Sequence, residues 1–332
     1  MADLSSCKYS ILDLAPIRDD GDAATALKNS LALAQHAEQW GYNRFWVAEH
    51  HNMDGIASSA TAVLIGYLAA NTQRIRLGSG GVMLPNHSPL VVAEQFGTLA
   101  TLYPDRIDLG LGRAPGADQH TARALRRNHL ESAEDFPEDL AMIQTLLGEG
   151  QPDQRIKAVP GQGTHVPIWL LGSSLFSAQL AAAKGLPYAF ASHFAPRFMR
   201  DAIRLYRENF QPSATLAQPY VMLGIPLIAA DTDAQADYLA TSLYQRILNL
   251  MQGKSIKSQP PVKDMPALNP HEQASLNSFL GLAAIGGPDK IRRHLTSLLE
   301  QTQADELIFT GDLYEMQDRL RSFEILAEVF KS

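Results

Sequence analysis

Three serines and one arginine are the clearest candidates for binding a ligand. Gly172-Ser173-Ser174 follows a predicted strand, and Ser177 lies one turn further along, in the predicted helix. Small residues let an anion approach the free N–H groups at a helix N-terminus, and hydroxyls add donors. Arg113, at the end of the preceding predicted strand, would add a cation with several donors. The set predicts a site for one phosphate group; alternatively, a serine only caps the helix and Arg113 forms a surface ion pair.

Histidines follow several predicted strands, and the clearest group is Glu49-His50-His51. A histidine at a strand end suits a general acid or base because its pKa lies near neutrality. The alternative is a hydrogen-bonded structural histidine. Adjacent side chains of an extended segment point to opposite faces, so His50 and His51 are poorly placed to share a metal ion. No His-Glu-x-x-His spacing supports a metal either, and we predict none. His87 and His193 also follow predicted strands.

Two glycine-rich segments need separate interpretation. Gly80-Gly81 has no side chains, which permits a flat aromatic ring to lie against the backbone; a β-bulge or close helix packing is the alternative. The segment 110–116 resembles a dinucleotide-binding fingerprint, but its third glycine comes one position late. Pro115 also stands where such a loop needs a free amide. We therefore predict no nicotinamide dinucleotide site in this segment.

Eight alternating strand and helix patterns must position these groups. Eight such repeats in about 330 residues are typical of a closed (β/α)8 TIM barrel, whose functional residues follow the strands. An open, doubly wound α/β sheet is the alternative, but the count of eight and the lack of a break between two halves favour the barrel. The predicted strands are residues 9–14, 44–48, 75–84, 107–111, 167–171, 188–191, 220–228 and 305–309.

Two long connections interrupt the alternation. Residues 113–166 form an insertion between the fourth and fifth strands, with one predicted helix at 136–147. Residues 253–270 are polar and contain four prolines, which predicts a mobile loop. Elsewhere, Ser58 or Ser59 is expected to cap a helix that ends at Ala70, and Gly41 and Gly185 to end two others.

Composition limits the class of protein. The chain has 332 residues with 28 basic and 35 acidic side chains, a net charge of −7, which argues against binding nucleic acid or an anionic membrane. Cys7 is the one cysteine, so no intramolecular disulfide and no thiolate metal cluster can form. The first residues show no targeting segment, and no apolar run reaches membrane-spanning length. We predict one cytoplasmic domain over residues 1–332.

Taken in order, these segments resemble the bacterial luciferase-like flavin monooxygenases, and most of all their YhbW-like subgroup. No single motif is specific, but the ordered set covers essentially the whole chain. The matching segments are residues 10–17, 46–51, 78–85, 104–113, 169–174, 185–191, 305–308 and 321–327.

The resemblance implies a flavin, FMN, bound in reduced form over the mouth of the barrel. Gly80-Gly81 falls on a non-prolyl cis peptide behind the isoalloxazine ring, and His50 on the catalytic histidine, a base near the flavin C4a adduct. Asp118 lies roughly where family members carry an active-site aspartate. The implied cofactor-binding residues are Gly80, Gly81, Arg113, Ala114, Ser173, Ser174 and Ser177.

The implied activity is that of a flavin-dependent monooxygenase. Reduced FMN and O2 would give a C4a-peroxyflavin that oxygenates a small organic substrate, such as an aldehyde or another carbonyl compound. A separate NAD(P)H:flavin reductase would supply the reduced flavin. The helices at 57–70 and 91–102 fall on the family's dimer interface, so a homodimer is expected, although their pattern equally suits packing on the barrel.

Two alternatives stay open. The wider family also uses the deazaflavin F420 for hydride transfer, and the same phosphate site would serve it. Some relatives are non-catalytic flavin-binding proteins. One departure weakens the case for light emission: Gly112 stands where the light-emitting α subunits have a reactive cysteine.

Overall fold

Short buried strands alternate with helices along the chain. The computed structural model describes residues 4–114, 119–125, 134–254 and 256–331. The strands are β1 (Lys8–Asp13), β2 (Arg44–Val47), β3 (Arg76–Ser79), β4 (Val82–Met83), β5 (Ile107–Gly112), β6 (Ile168–Gly172), β7 (Tyr188–Phe190), β8 (Val221–Ala229), β9 (Ala284–Gly286) and β10 (Glu306–Thr310). The helices are α1 (Ala23–Trp40), α2 (Thr61–Ala70), α3 (Pro89–Leu102), α4 (Gln119–Leu125), α5 (Phe136–Leu147), α6 (Leu175–Lys184), α7 (Met199–Asn209), α8 (Asp233–Met251), α9 (Pro270–Phe279), α10 (Pro288–Thr302) and α11 (Met316–Lys331).

Parallel pairing closes the sheet into a ring. The order is β1-β2-β3-β5-β6-β7-β8, and β10 pairs with both β8 and β1. The registers Ile11↔Phe309 and Ile308↔Gly224 show the closure. This is a (β/α)8 TIM barrel, so the predicted fold is confirmed and the open doubly wound sheet is excluded.

The barrel interior is layered from bottom to top. At the bottom, Arg44 bonds Asp108 at 2.6 Å and Glu306 at 2.8 Å, and all three side chains are buried. Above this layer lie Trp46 and Trp169, packed edge to face with ring centroids 5.2 Å apart. The carboxyl ends of the strands, where the predicted ligand-binding residues lie, therefore open upward from a filled interior.

Several local predictions are corrected. The predicted third strand is two short strands, β3 and β4, because the backbone turns at Gly80-Gly81 between them. Helix α2 begins after Ala60, not at Ser58 or Ser59. Ser58 is buried, and its hydroxyl donates to the Ala48 carbonyl instead. The caps at Gly41 and Gly185 are confirmed, with φ of 88° and 60°.

The described parts of the two long connections contain structure that their sequences did not predict. The described part of the insertion contains α4 as well as the predicted helix α5, whose predicted bounds are confirmed. In the segment predicted as a mobile loop, Ser258 N donates to the Ile17 carbonyl at 2.8 Å, and Asp19 N donates to the Ser258 carbonyl at 3.0 Å. These bonds attach the segment to the loop that follows β1. Its mobility stays a prediction.

Candidate active site

A large cavity opens where the barrel strands end. Its volume is about 1210 Å³, whereas pockets for a single small molecule span roughly 300–1,000 Å³. The space is therefore sufficient for a cofactor and a second ligand. Asp118 lies outside the described residues. The other predicted site residues all line this cavity: His50, Gly80, Gly81, Arg113, Ala114, Ser173, Ser174 and Ser177.

One end of the cavity is formed by the start of α6 and by Arg113. Ser174 is the N-cap residue of α6, and its side chain makes no capping hydrogen bond. The N–H groups of the first helical turn have no partner within the helix, so they and this hydroxyl can bind an anion. The Arg113 guanidinium lies 4.1 Å from the centroid of the Phe176 ring, which holds the cation beside the helix start. This end can bind a phosphate group.

Ser177 has a different environment from the other serines. Its side chain is buried, and its Oγ donates to the Ser174 carbonyl at 2.9 Å. The same oxygen lies 3.2 Å from the hydroxyl of Tyr188. Because its proton is already used inside the protein, Ser177 fixes the first turn of α6. That Ser177 contacts a ligand directly stays a prediction.

The floor of the cavity contains the Gly80-Gly81 pair. The peptide bond between them is cis, as the resemblance implies. A Cβ atom on Gly80 would lie 2.6 Å from Leu12 Cδ1, and one on Gly81 would lie 2.8 Å from the Gly110 carbonyl oxygen. A side chain on Gly81 would overlap backbone, and one on Gly80 would require Leu12 to move. The cavity therefore meets bare backbone here, which a flat ring can approach.

His50 faces this floor from the end of β2. Its backbone N–H donates to the Ser58 carbonyl at 3.0 Å, while its ring makes no hydrogen bond to another described residue. Burial, followed by the charge of Arg246, lowers the pKa of His50 to about 4. The imidazole is therefore neutral near pH 7 and can accept a proton or a hydrogen bond from a ligand.

The neighbouring residues form a cluster centred on Glu49, which also lines the cavity. His51 Nε2 and His87 Nε2 donate to Glu49 Oε1 at 2.8 and 2.7 Å. Burial alone would raise the pKa of Glu49, but these hydrogen bonds and the charge on the histidines hold it below its usual value. The ligand atoms of this cluster lie within 4.8 Å of one another, as a metal site requires. The sequence did not predict this cluster, because it combines Glu49 and His51, two positions apart, with His87, which is distant in the chain. The absence of a metal stays a prediction.

Further polar residues line the cavity without having been assigned a role from the sequence, among them His193, Arg246 and Asp312. His193 follows β7, and Arg246 lies on α8. Arg246 Nη1 donates to Asp312 Oδ2 at 2.7 Å, and Asp312 also accepts from the Ser258 hydroxyl at 3.1 Å. Histidines at strand ends were a usable signal for His193. No sequence pattern indicates that α8 folds over the mouth of the barrel and brings Arg246 to it.

Comparison with known proteins gives consistent matches. The family model described as luciferase-like monooxygenase matches residues 7–306. A luciferase-like monooxygenase of Escherichia coli (strain K12) is 52% identical over 322 residues, covering 97% of this chain and 96% of that protein. The crystal structure of apo-MsnO8 has a TM-score of 0.91 and 36% identity, covering 98% of each chain.

Two other solved structures share the fold at low identity and differ in cofactor. The oxygenating constituent of 3,6-diketocamphane monooxygenase from Pseudomonas putida, in complex with FMN, has a TM-score of 0.72 and 16% identity, covering 97% of each chain. An F420-dependent secondary alcohol dehydrogenase, in complex with an F420-acetone adduct, has a TM-score of 0.71 and 13% identity, covering 98% of this chain and 100% of the other.

Proposed function

Because this chain belongs to the luciferase-like monooxygenase family, we propose that it is a flavin-dependent monooxygenase that uses reduced FMN and O2 to oxygenate a small organic substrate. The observation that carries the proposal is one cavity with two ends. An end that can bind a phosphate group, with Arg113 and the start of α6, shares this cavity with the bare backbone of Gly80-Gly81 and with neutral His50.

The residues present fit a flavin mononucleotide. The Arg113 guanidinium, the Ser174 hydroxyl and the first N–H groups of α6 suit a terminal phosphate. The Gly80-Gly81 backbone would accept the face of the isoalloxazine, since no side chain projects there. Ala114 and Ser173 lie on the cavity wall near Arg113 and Ser174 in the sequence and complete the proposed binding set.

Reduced flavin supplies two electrons and activates O2, while the protein supplies binding, orientation and exclusion of water. His50, kept neutral by burial, would accept a proton or hydrogen bond beside the flavin. A general base is most effective when its pKa lies near the operating pH, so the lowered pKa of His50 favours accepting a hydrogen bond over full proton transfer. A carbonyl compound is the proposed substrate, and a separate NAD(P)H:flavin reductase is the proposed source of electrons. Asp118 is a proposed further catalytic residue.

Equilibrium binding of oxidised FMN, reduced FMN and F420 tests the cofactor. Loss of one charge-assisted contact costs about 1.5–3 kcal/mol, so Arg113→Ala should weaken reduced FMN about ten- to a hundredfold. Arg204→Ala is the matched control, because Arg204 is an exposed arginine on α7, away from the cavity. Tighter binding of F420 than of FMN would favour hydride transfer instead. An FMN affinity that is unchanged in Arg113→Ala, or no flavin binding at all, would contradict the proposed site.

A homodimer through α2 and α3 is also proposed. Val63 on α2 and Leu102 on α3 are 74% and 63% exposed, and Tyr67 and Val91 add to the same two helices. Exposed apolar side chains on adjacent helices favour association. Light scattering at micromolar concentration should give twice the mass of one chain, and the mass of one chain would contradict the dimer.

Among the described residues, none of the helices has both the length and the apolar character that crossing a membrane requires. A cytoplasmic location stays a prediction from the sequence.

A further inference from the structure

A second histidine faces the cavity from the side opposite to His50. In the ring of barrel strands, β2 and β7 are four positions apart, and His50 and His193 follow these two strands. Both side chains line the same cavity. A ligand lying across the mouth of the barrel would therefore have one imidazole on each side.

The orientation of the His193 ring is fixed by a glycine. Nδ1 is buried against Gly224 on β8, where an added Cβ atom would lie only 2.3 Å from that nitrogen. Nδ1 has no hydrogen-bond partner, and the ring makes no hydrogen bond to another described residue. His193 lines the cavity, and Nδ1 is its buried, unpartnered nitrogen, so Nε2 is the nitrogen that a ligand can reach.

This orientation selects one tautomer. A proton on Nδ1 would bury an unpaired N–H against carbon atoms, at a cost comparable to that of a lost hydrogen bond. A proton on Nε2 leaves only a lone pair beside Gly224 and directs the N–H into the cavity. Burial, followed by the charge of His50, lowers the pKa of His193 to about 4, so the ring is neutral near pH 7.

We propose that His193 is the substrate-side hydrogen-bond donor of this cavity, and that its Nε2–H selects substrates with a neutral carbonyl oxygen. The proposal rests on the proposed function, in which the cavity takes an organic substrate. The adjoining wall is apolar, with Leu243 and Ile247 from α8 and Leu280 beyond α9.

Two of the cations that line the cavity favour a carbonyl over a carboxylate. Arg246 is already paired with Asp312 at 2.7 Å, and Arg319 with Asp13 at 2.6 Å. A carboxylate substrate would have to compete with these aspartates for the guanidinium groups. A neutral carbonyl oxygen needs only a neutral donor, which His193 provides.

The tautomer can be measured without any ligand or turnover. In the protein labelled with ¹⁵N-histidine, the signals absent from His193→Gln identify His193. At pH 7 the expected spectrum is that of a neutral ring protonated on Nε2. A ring protonated on Nδ1, or an imidazolium, would overturn the proposal.

Ligand selection is measured with 2-octanone and n-octane as probes, by headspace partitioning over the protein solution. The quantity compared is the dissociation constant of n-octane divided by that of 2-octanone. This ratio, the ketone preference, should exceed one in the wild type. His193→Phe should reduce it about two- to tenfold, the effect of one neutral hydrogen bond. His193→Gln should retain it, because its amide nitrogen reaches the position of Nε2. His193→Asn should not, because its amide lies at the position of Nδ1. Gly224→Ala, which displaces the ring, should behave as His193→Phe does.

No ketone preference in the wild type, an unchanged preference in His193→Phe, or equal rescue by Asn and Gln would each overturn the proposal. FMN binding to the same variants is measured separately. Wild type that selects the ketone but binds no flavin would contradict the proposed function and leave the role of His193 standing.

Discussion

The bottom and the mouth of the barrel both contain buried polar side chains, but the two regions differ in whether each of these side chains has a partner. At the bottom, the buried charges of Arg44, Asp108 and Glu306 are paired: Asp108 accepts from Arg44, Arg76 and the Trp46 indole, and Glu306 accepts from Arg44 and Tyr220. At the mouth, His50 and His193 make no side-chain hydrogen bonds to other described residues. Arg246 has one partner there, Asp312.

This contrast separates stability from ligand binding. Buried polar groups normally find hydrogen-bond partners, because leaving one unsatisfied costs about 1–3 kcal/mol. The bottom meets this requirement within the chain. At the mouth, the rings of His50 and His193 have no such partner among the described residues, and a ligand can supply one. Substitutions at the bottom should therefore change the free energy of unfolding, and substitutions at the mouth should change binding.

The largest expected effect is at the bottom. Arg44→Met removes a guanidinium that bridges two buried carboxylates, and breaking a buried ion pair costs about 3–5 kcal/mol. Urea unfolding followed by circular dichroism measures the change. His50→Ala, at the mouth, should alter the free energy of unfolding by less than about 1 kcal/mol. Equal losses in the two variants would remove the distinction between the two regions.

The second effect depends on pH and belongs to the mouth. His50 and His193 each have a pKa of about 4, below the value near 6.5 in the unfolded chain. Between these values the unfolded state binds more protons, so the free energy of unfolding falls as pH is lowered from about 6.5 to 4. The contribution is at most about 3 kcal/mol per residue.

Urea unfolding from pH 7 to pH 4 tests this in wild type and in the double variant His50→Gln/His193→Gln. The loss of stability on acidification should be smaller in the double variant, because glutamine does not titrate. Parallel curves would show that neither histidine is buried as a neutral group.

The sequence predicts the barrel well because parallel strands are buried on both faces. Segments such as 45–48 and 168–171 are therefore continuous apolar runs with clear ends. The region 271–304 was not assigned, and it contains α9, α10 and β9, a strand of three residues. So short a strand has too few residues to show a period.

Site residues could be predicted where a residue type suited to ligand binding comes directly after a strand. Arg113 and Ser174 lie directly beside strand ends, so the barrel rule places them at the mouth. Arg246 lies in the middle of α8, and its place in the cavity depends on how that helix packs. The role of a serine likewise depends on its neighbours: Ser177 was predicted together with Ser174, but its hydroxyl is bonded inside the protein.

The smallest effects sharpen the comparison within the mouth itself. Ser174→Ala removes a hydroxyl with no capping bond, so reduced FMN should bind about two- to tenfold more weakly, with the free energy of unfolding nearly unchanged. Ser177→Ala removes a buried hydroxyl bonded to the Ser174 carbonyl, so stability should fall by about 0.5–1.5 kcal/mol with little change in FMN affinity. Flavin titration and urea unfolding of both variants measure the two quantities. If Ser177→Ala instead weakened FMN as much as Ser174→Ala does, the buried hydroxyl would be part of the ligand site, and paired groups at the mouth would bind ligand as well as unpaired ones.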